Sequence, residues 1–369
     1  MPESAVNKHT YISQKLAVAI RRGDFGGDGR LPPDRQIATD FSVSYLTARR
    51  AVNELVAMGL AERRGRTGTF VRAHVPHSES PMPKQVNLIC SAYESTALTN
   101  YIQAAKQATA ARGLTATIQR IAPSDDEQAV ATIMGPNPSI VLMHEYFGWA
   151  RVEAAMVAAA DRTVLIGSRL DHLGVTSVIG HDSQAMQMAC DYLAALGHRR
   201  TAFVMHHPEL MQARLRIASW RVAQTASGDA KGLADRLIAV DVPRYGNQTE
   251  ATYAAVCRFL ADGGAGSTAF ICVNDEMAMG VIAACGDAGL VVPQDMSIFC
   301  LSNSVVGKFA QPPVTCIDIR QEANIEMALD VLTQRYRGES APWDTLHLIP
   351  PVIVERRSVV APNDGTASR

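Results

Sequence analysis

The sequence predicts two unlike folds in one chain, a small α+β domain at the N-terminus and a larger α/β domain with parallel sheets behind it. Charge is divided unevenly, since residues 1–75 carry 12 Lys+Arg against 7 Asp+Glu while residues 76–369 carry 23 against 29. A stretch rich in proline and serine, residues 73–85, separates the two parts. After this stretch, short apolar runs alternate with segments of helical length, which is typical of βαβ units and mostly parallel sheets.

The composition favours a soluble cytoplasmic protein. Hydrophobic residues make up 47% and charged residues 19% of the 369 residues, which excludes wholesale disorder. No apolar run approaches the ~20 residues that span a bilayer, and residues 1–10 lack the apolar segment of a secretory signal. The seven scattered cysteines include no C-x-x-C pair, so we expect buried, reduced thiols and no metal.

The N-terminal domain, residues 1–72, reads as three helices followed by a hairpin. Tyr11–Arg22 places Ile12, Leu16, Ala19 and Ile20 on one helical face. Pro33 and Asp34 suit the start of a second helix that ends near Phe41, and Ser44 is a good N-cap for a third. Two short strands then flank a glycine-containing turn: Ala61–Arg64 and Thr69–Arg72. This order predicts a winged helix-turn-helix.

The second domain, residues 86–360, is predicted to consist of two α/β lobes, because one small sheet does not need some 270 residues. A flexible tail is expected at residues 361–369. The apolar runs that predict buried strands are Val86–Cys90, Thr115–Ile121, Ser139–Met143, Thr163–Gly167, Val175–Ile179, Thr201–Val204, Phe270–Val273 and Met296–Cys300. The segments that predict helices between them include Thr99–Arg112, Ser183–Leu196 and Glu276–Ala288.

The N-terminal domain resembles the GntR-type DNA-binding domains. The residues that carry the resemblance, in order and at family spacing, are Leu31–Arg35, Val43–Ala51, Gly59–Ala61 and Gly65–Val71. The resemblance implies DNA contacts from Arg35 on the second helix and from the wing residues Arg66, Thr67 and Gly68. Tyr45 and Leu46 depart from the Arg and Thr that are common in the family, which leaves the base preference open.

The third helix has the chemistry that DNA recognition requires. The first turns of a recognition helix enter the major groove, so the side chains expected to reach base edges are those of Ser44, Tyr45, Leu46 and Arg49. Arg49 could hold the O6 and N7 atoms of a guanine. Thr47, beside the free N–H groups of the helix start, suits a phosphate.

The second domain resembles the effector domain of LacI/GalR regulators, which has the fold of periplasmic sugar-binding proteins. The matching segments are Asp191–Arg200, Ala213–Trp220, Val273–Gly280, Val292–Ile298 and Pro312–Thr315. The resemblance implies a sugar-contacting arginine at Arg216 and a strand-end Asn-Asp pair at Asn274 and Asp275. A GntR-like head on such a body is similar to the AraR-type arabinose regulators.

Ligands of open parallel sheets bind outside the carboxyl ends of the strands, where we expect two lobes to face each other across a cleft. The residues expected to contact the ligand are Arg216, Asn274, Asn303, Arg169, Glu145 and Tyr93. Asp275 is expected to cap the next helix, and Trp220 to lie in the core. Ser302 and Asn303 stand where the family usually has aspartates, and Arg169 adds a charge, so an acidic or phosphorylated ligand stays an alternative to a neutral sugar.

The sequence does not predict a catalytic site. The chain has no G-x-x-x-x-G-K-[ST], H-E-x-x-H or G-x-S-x-G, and His206-His207 lack metal ligands at a suitable spacing. We therefore expect a homodimeric repressor, without cofactor or membrane partner, that binds a pseudo-palindromic double-stranded DNA operator and responds to a sugar-like effector. The alternative is a DNA-binding dimer whose second domain is only a scaffold.

Overall fold

A computed structural model describes residues 8–22, 24–25, 28–57, 60–65, 67–71, 82–92, 95–122, 125–142, 150–180, 182–228, 232–242, 246–337 and 345–363. The chain divides into two compact units. Unit 1 comprises Met1–Ala92, Ala105–Ile179 and Ile325–His347, and unit 2 comprises Tyr93–Ala104, Gly180–Asn324 and Leu348–Arg369. Most of the predicted linker and of the predicted tail lies outside the described residues, so the predicted domain boundaries stay predictions.

The N-terminal part of unit 1 has the predicted three helices and a hairpin. These elements are α1 (Lys8–Arg22), α2 (Asp34–Asp40), α3 (Tyr45–Ala57), β1 (Ala61–Arg63) and β2 (Thr69–Val71). The two strands pair antiparallel, with Ala61 opposite Val71. The winged helix-turn-helix is therefore confirmed.

A small apolar core holds these helices together. Ile12 and Leu16 on α1 are buried against Ala48, Val52 and Leu55 on α3. The spacing of these residues follows the helical repeat, so each helix presents one apolar face to the other. Burying such side chains is worth roughly 1.5–3 kcal/mol each, which offsets much of the ordering entropy of this small domain.

The remainder of the chain alternates strands and helices. The elements in order are β3 (Gln85–Ser91), α4 (Thr96–Ala111), β4 (Thr115–Ile121), α5 (Asp126–Met134), β5 (Ser139–Leu142), α6 (Ala150–Ala158), β6 (Thr163–Ile166), β7 (Thr176–Gly180), α7 (Asp182–Ala195), β8 (Thr201–His206), α8 (Met211–Ala226), β9 (Leu237–Val240), α9 (Gln248–Ala261), β10 (Ala269–Cys272), α10 (Asp275–Asp287), β11 (Ser297–Cys300), α11 (Val305–Phe309), β12 (Thr315–Asp318), α12 (Gln321–Tyr336), β13 (Leu346–Ile349) and β14 (Val352–Val354). Every predicted strand is present, with ends shifted by two residues at most.

The sheet of unit 1 has the strand order β13-β7-β6-β5-β3-β4. The pairs β7–β6, β6–β5, β5–β3 and β3–β4 are parallel, as predicted. The expectation that Thr115–Ile121 is a buried strand is wrong, because β4 lies at the edge of this sheet and leaves most of its side chains partly or fully exposed.

The sheet of unit 2 has the order β14-β12-β11-β10-β8-β9, in which only β14 is antiparallel to its neighbour. Helices α9 and α10 cover one face and α7 and α8 the other. Trp220 on α8 is fully buried, as predicted, and its indole Nε1 donates to Thr201 Oγ1 at 2.9 Å. Gly197, with φ of +102°, ends α7 in a Schellman motif, as the sequence indicates.

All seven cysteines are free thiols, and all but Cys257 are buried. Burial raises the pKa of Cys190 to about 12, so this thiol stays protonated and unreactive. No helix among the described residues has the length and apolar character needed to cross a membrane.

Candidate functional site

The N-terminus of α3 is fixed by two hydroxyl groups. Ser44 Oγ accepts the backbone N–H of Thr47 at 3.2 Å and lies 2.8 Å from Thr47 Oγ1. The predicted N-cap is therefore present, and it sets the direction in which the first turn projects its side chains.

The first turns of α3 divide sharply between core and surface. Ala48 and Val52 are fully buried, whereas Tyr45 is 44% and Leu46 67% exposed and Arg49 is also exposed. Two large apolar side chains and an arginine on the outer face of a capped helix form a surface suited to a partner with both apolar and anionic groups. The structure thus brings together four of the predicted DNA contacts, Ser44, Tyr45, Leu46 and Arg49.

The remaining predicted DNA contacts lie on α2 and on the wing. Arg35 is exposed on α2, and Thr67 Oγ1 donates to the backbone oxygen of Arg64 at the hairpin turn. Gly68 has φ of +124°, a conformation that favours glycine. Arg66 lies outside the described residues.

Arg63 has a structural role. Its Nη2 lies 3.3 Å from Asp34 Oδ2, and its Nε and Nη2 reach Asn53 Oδ1 at 3.3 and 3.0 Å. This side chain joins α2, α3 and β1, so it stabilises the packing of these three elements.

In unit 2, the amide side chain of Asn274, just beyond the end of β10, is hydrogen-bonded to that of Gln248. Asn274 caps α10, since its side chain accepts the N–H of Met277 at 2.9 Å, and its Nδ2 donates to Gln248 Oε1 at 2.6 Å. The expectation that Asp275 is the cap is wrong, because α10 begins one residue earlier in the chain than a cap at 275 would allow.

Asp275 is instead a buried carboxylate between β10 and β11. It is 1% exposed and accepts a hydrogen bond from Ser302 Oγ at 2.5 Å. Burial raises the pKa of this carboxyl, and the hydroxyl of Ser302 opposes that rise by stabilising the ionised form. Gly307 packs so closely that any side chain there would collide with Asp275 Oδ1.

Asn303, three residues beyond the end of β11, lies in a hydrogen-bond network that connects β11, β12 and β14. Its Oδ1 accepts Arg356 Nη2 at 2.6 Å and its Nδ2 donates to Asp318 Oδ2 at 3.2 Å. Arg356 also donates to the backbone oxygen of Val314 at 2.7 Å. The network fixes the orientation of the Asn303 amide.

Sequence reasoning missed Gln248, Asp318 and Arg356. Gln248 follows the N-cap of α9, and Asp318 ends a strand, so a search of strand and helix ends could have found both. Arg356 lies 53 residues beyond Asn303, and no local pattern links the two.

Arg216, the predicted arginine of α8, is half-buried one turn before Trp220. His206 is the last residue of β8, and His207 follows with a left-handed φ of +51°. His207 Nδ1 lies 3.1 Å from Glu209 Oε1, and within the described part of the chain no group of His, Cys, Asp and Glu residues has the arrangement of a metal site.

In unit 1, Arg169 follows β6 and makes a bidentate ion pair with Asp171 in the same turn. Its Nε and Nη2 reach the two oxygens of Asp171, both at 3.0 Å. The guanidinium lowers the pKa of Asp171, so the charge that Arg169 was expected to add is balanced locally. Tyr93 and Glu145, the other predicted ligand contacts, lie outside the described residues.

Comparison with known protein families gives two matches. Residues 9–71 match bacterial regulatory proteins of the gntR family, and residues 190–359 match a periplasmic binding protein-like domain.

Similar proteins extend over most of the chain. The lactose operon repressor of Escherichia coli (strain K12) is 24% identical over 348 residues, which cover 90% of this chain and 92% of the repressor. The arabinose metabolism transcriptional repressor of Geobacillus stearothermophilus is 23% identical over 346 residues, 91% of this chain and 94% of that protein. The solved complex of the transcriptional regulator CelR with cellobiose has a TM-score of 0.64 at 19% identity and covers 93% of this chain and 98% of that one.

Proposed function

Because the chain joins a DNA-binding domain of the gntR family to a periplasmic binding protein-like domain, we propose that it is a transcriptional repressor controlled by a small sugar-like metabolite. The observation that carries the DNA-binding half is the start of α3, which is capped by Ser44 and exposes Tyr45 and Leu46 on its first turn and Arg49 on its second. A helix start of this kind enters the major groove and reads base edges.

The effector half of the proposal is supported by the carboxyl ends of the strands of unit 2. Asn274 and Asn303 follow the carboxyl ends of the neighbouring parallel strands β10 and β11 by two and three residues, and open α/β sheets bind ligands at such ends. The planar guanidinium group of Arg216 has several N–H donors, which suit hydroxyl or carboxylate groups. The effector acts by binding one conformation of the protein better than another, since a ligand with equal affinity for both shifts nothing.

The regulator acts in the cytoplasm as a homodimer, without a catalytic role. Two copies related by a two-fold axis place two α3 helices on the two halves of a pseudo-palindromic operator.

The experiment that tests the function selects DNA from genomic fragments with the full chain, and then adds a deproteinised metabolite extract. We expect a recovered site with two inverted half-sites and release of the protein from it by the extract. Selection of no preferred sequence would contradict the DNA-binding role.

A scaffold without a ligand is the second candidate, because the amides of Asn274 and Asn303 are both held by protein partners. The variant Arg216→Ala separates the two. If the protein is a metabolite-controlled regulator, Arg216→Ala loses the response to the extract but keeps its affinity for DNA. Arg221→Ala, at an exposed position of the same helix, keeps both the response and the affinity. A protein that ignores every extract would favour the scaffold.

A further inference from the structure

The first turn of α3 presents a leucine on the side of the helix that faces away from the domain core. At 3.6 residues per turn, the nine residues from Leu46 to Leu55 make two and a half turns, so these two side chains point in opposite directions. Leu55 is fully buried in the core that α1 and α3 share, whereas Leu46 is 67% exposed. The core of the N-terminal domain therefore does not use Leu46.

The residues around Leu46 hold this turn in place and extend its outer surface. Ser44 Oγ lies 2.8 Å from Thr47 Oγ1 and accepts the backbone N–H of Thr47, which fixes the start of the helix. Residues three apart on a helix are neighbours on its surface, so Leu46 lies beside the exposed Arg49. An apolar group and a guanidinium thus project side by side from the start of α3.

The chemistry of leucine limits what it can recognise in the major groove. The base edges there present hydrogen-bond donors and acceptors and one apolar group, the 5-methyl group of thymine. A leucine side chain has no donor or acceptor, so packing it on a polar edge would remove water from that edge without replacing the hydrogen bonds. A leucine that faces base edges therefore favours thymine.

From this arrangement we propose that Leu46 is a specificity-determining residue that contacts the 5-methyl group of a thymine in each operator half-site. The inference rests on the proposed function, because it names a base that the proposed regulator reads. Leu46 and Arg49 are about 4.5 Å apart along the helix axis, and successive base pairs are about 3.4 Å apart. The thymine is therefore expected one or two base pairs from the guanine that Arg49 is expected to hold.

The test uses the full chain and the operator duplex that the genomic selection recovers. Deoxyuridine replaces thymidine at one position of the half-site at a time, and in both half-sites together, which removes the methyl group and keeps the base pair. We expect one position at which the replacement weakens binding by about fourfold for each half-site, because burying one carbon group of this size is worth about 0.8 kcal/mol. Fluorescence anisotropy measures the two affinities.

Two variants assign the effect to a side chain. Leu46→Asn keeps a side chain of similar size and makes its end polar, so we expect the difference between thymidine and deoxyuridine to fall below about twofold at that position. Binding of this variant to a scrambled duplex should match that of the wild type, which shows that the domain is folded. Leu215→Asn makes the same change at a leucine of α8 that is 46% exposed, and it should keep the full difference.

Salt separates the methyl contact from the contacts with phosphate. Raising KCl from about 0.1 to 0.3 M should weaken binding to both duplexes, because phosphate contacts depend on the release of counterions. The ratio of the two affinities should stay the same, since contact with a methyl group involves no charge.

A recovered half-site that contains no thymine would overturn the inference, and so would thymines that can all be replaced without loss of affinity. A difference that persists in Leu46→Asn would assign the methyl contact to another side chain and overturn it too. In each of these cases the recovered operator still supports the proposed function. Recovery of no preferred sequence would contradict the proposed function and the inference together.

Discussion

Arg49 is the residue whose role at the DNA surface can be tested most directly. It is exposed on the second turn of α3, while its neighbour Ala48 is fully buried in the core. We expect Arg49→Ala to cost about 1–3 kcal/mol of specific DNA binding, because a bidentate contact with guanine is lost. Fluorescence anisotropy with the selected operator and with a scrambled duplex measures the loss.

Two further variants serve as controls for that measurement: Arg221→Ala for the affinity for DNA, and Arg63→Ala for the stability of the domain. Arg221 lies on α8, far along the chain from the helices of the N-terminal domain, so its removal should leave DNA affinity unchanged. Arg63→Ala should lower stability, since this arginine holds Asp34 and Asn53. Equal affinity of Arg49→Ala and the wild type for the operator would show that α3 docks differently.

We expect His198 to make the stability of the protein depend on pH. It is 2% exposed, its Nε2 donates to the carbonyl oxygen of Val360 at 2.7 Å, and its Nδ1 lies 2.8 Å from Thr268 Oγ1. Burial lowers the pKa of this imidazole, so the unfolded chain takes up a proton at a higher pH than the folded protein does. The free energy of unfolding should therefore fall as pH drops below about 6.5, the ordinary histidine value, and level off below the folded pKa.

Urea unfolding of the full chain between pH 7.5 and pH 5 measures this dependence. His198→Gln removes the titrating group, and we expect its stability to vary less over that range than that of the wild type. An identical pH dependence in both proteins would mean that the pKa of His198 does not change on folding.

At the scale of elements, the contact between α9 and α10 depends on one glycine. A Cβ atom at Gly280 would lie 2.5 Å from the backbone oxygen of Thr249 and 2.9 Å from Thr252 Cβ and the N atom of Tyr253. Two of these three atoms belong to backbone, which cannot move aside cheaply. We expect Gly280→Ala to destabilise unit 2 by about 1–3 kcal/mol, as overpacking does.

Gly286 provides a matched control in the same helix. Nothing lies within 4 Å of a Cβ atom built there. Gly286→Ala should therefore leave stability unchanged or raise it by roughly 0.4–1 kcal/mol, since alanine reduces the freedom of the unfolded chain. Thermal unfolding of both variants gives the comparison, and equal destabilisation by the two would rule out close packing as the cause.

The elements also show the limits of a sequence pattern. The strands of the parallel core, such as β6 and β8, are continuous apolar runs and were predicted to within two residues. The strands β9, β12, β13 and β14 were not predicted. Three of them, β9, β13 and β14, lie at sheet edges and leave side chains partly exposed, so they lack the continuous burial of the central strands.

At the scale of the whole molecule, the proposed dimer predicts how DNA length affects binding. Two copies of the 39.7 kDa chain should sediment together at about 79 kDa. A duplex with both half-sites should bind far more tightly than a duplex with one, because the second head then binds at a high effective concentration. Analytical ultracentrifugation and anisotropy with the two duplexes test this. Equal affinity for full and half sites would contradict the two-fold arrangement.

Local sequence patterns predicted the class of each domain and the residues exposed at the start of α3. Helical spacing, the Ser44 cap and the glycine-containing hairpin are local features, so the outward direction of Tyr45, Leu46 and Arg49 follows from residues close to them in the chain. The alternation of apolar runs and helices likewise fixed the parallel sheets.

Only the tertiary structure decided what the polar residues at the strand ends do. Asn303 is hydrogen-bonded to Arg356, which lies 53 residues away in the chain, and is therefore part of a network. Arg169 pairs with Asp171 within its own turn, so its charge is balanced locally. Whether an amide or a carboxylate is open to a ligand depends on partners that meet it only after folding. The local sequence specifies a side chain's chemistry, whereas its hydrogen-bond partners come from distant parts of the chain.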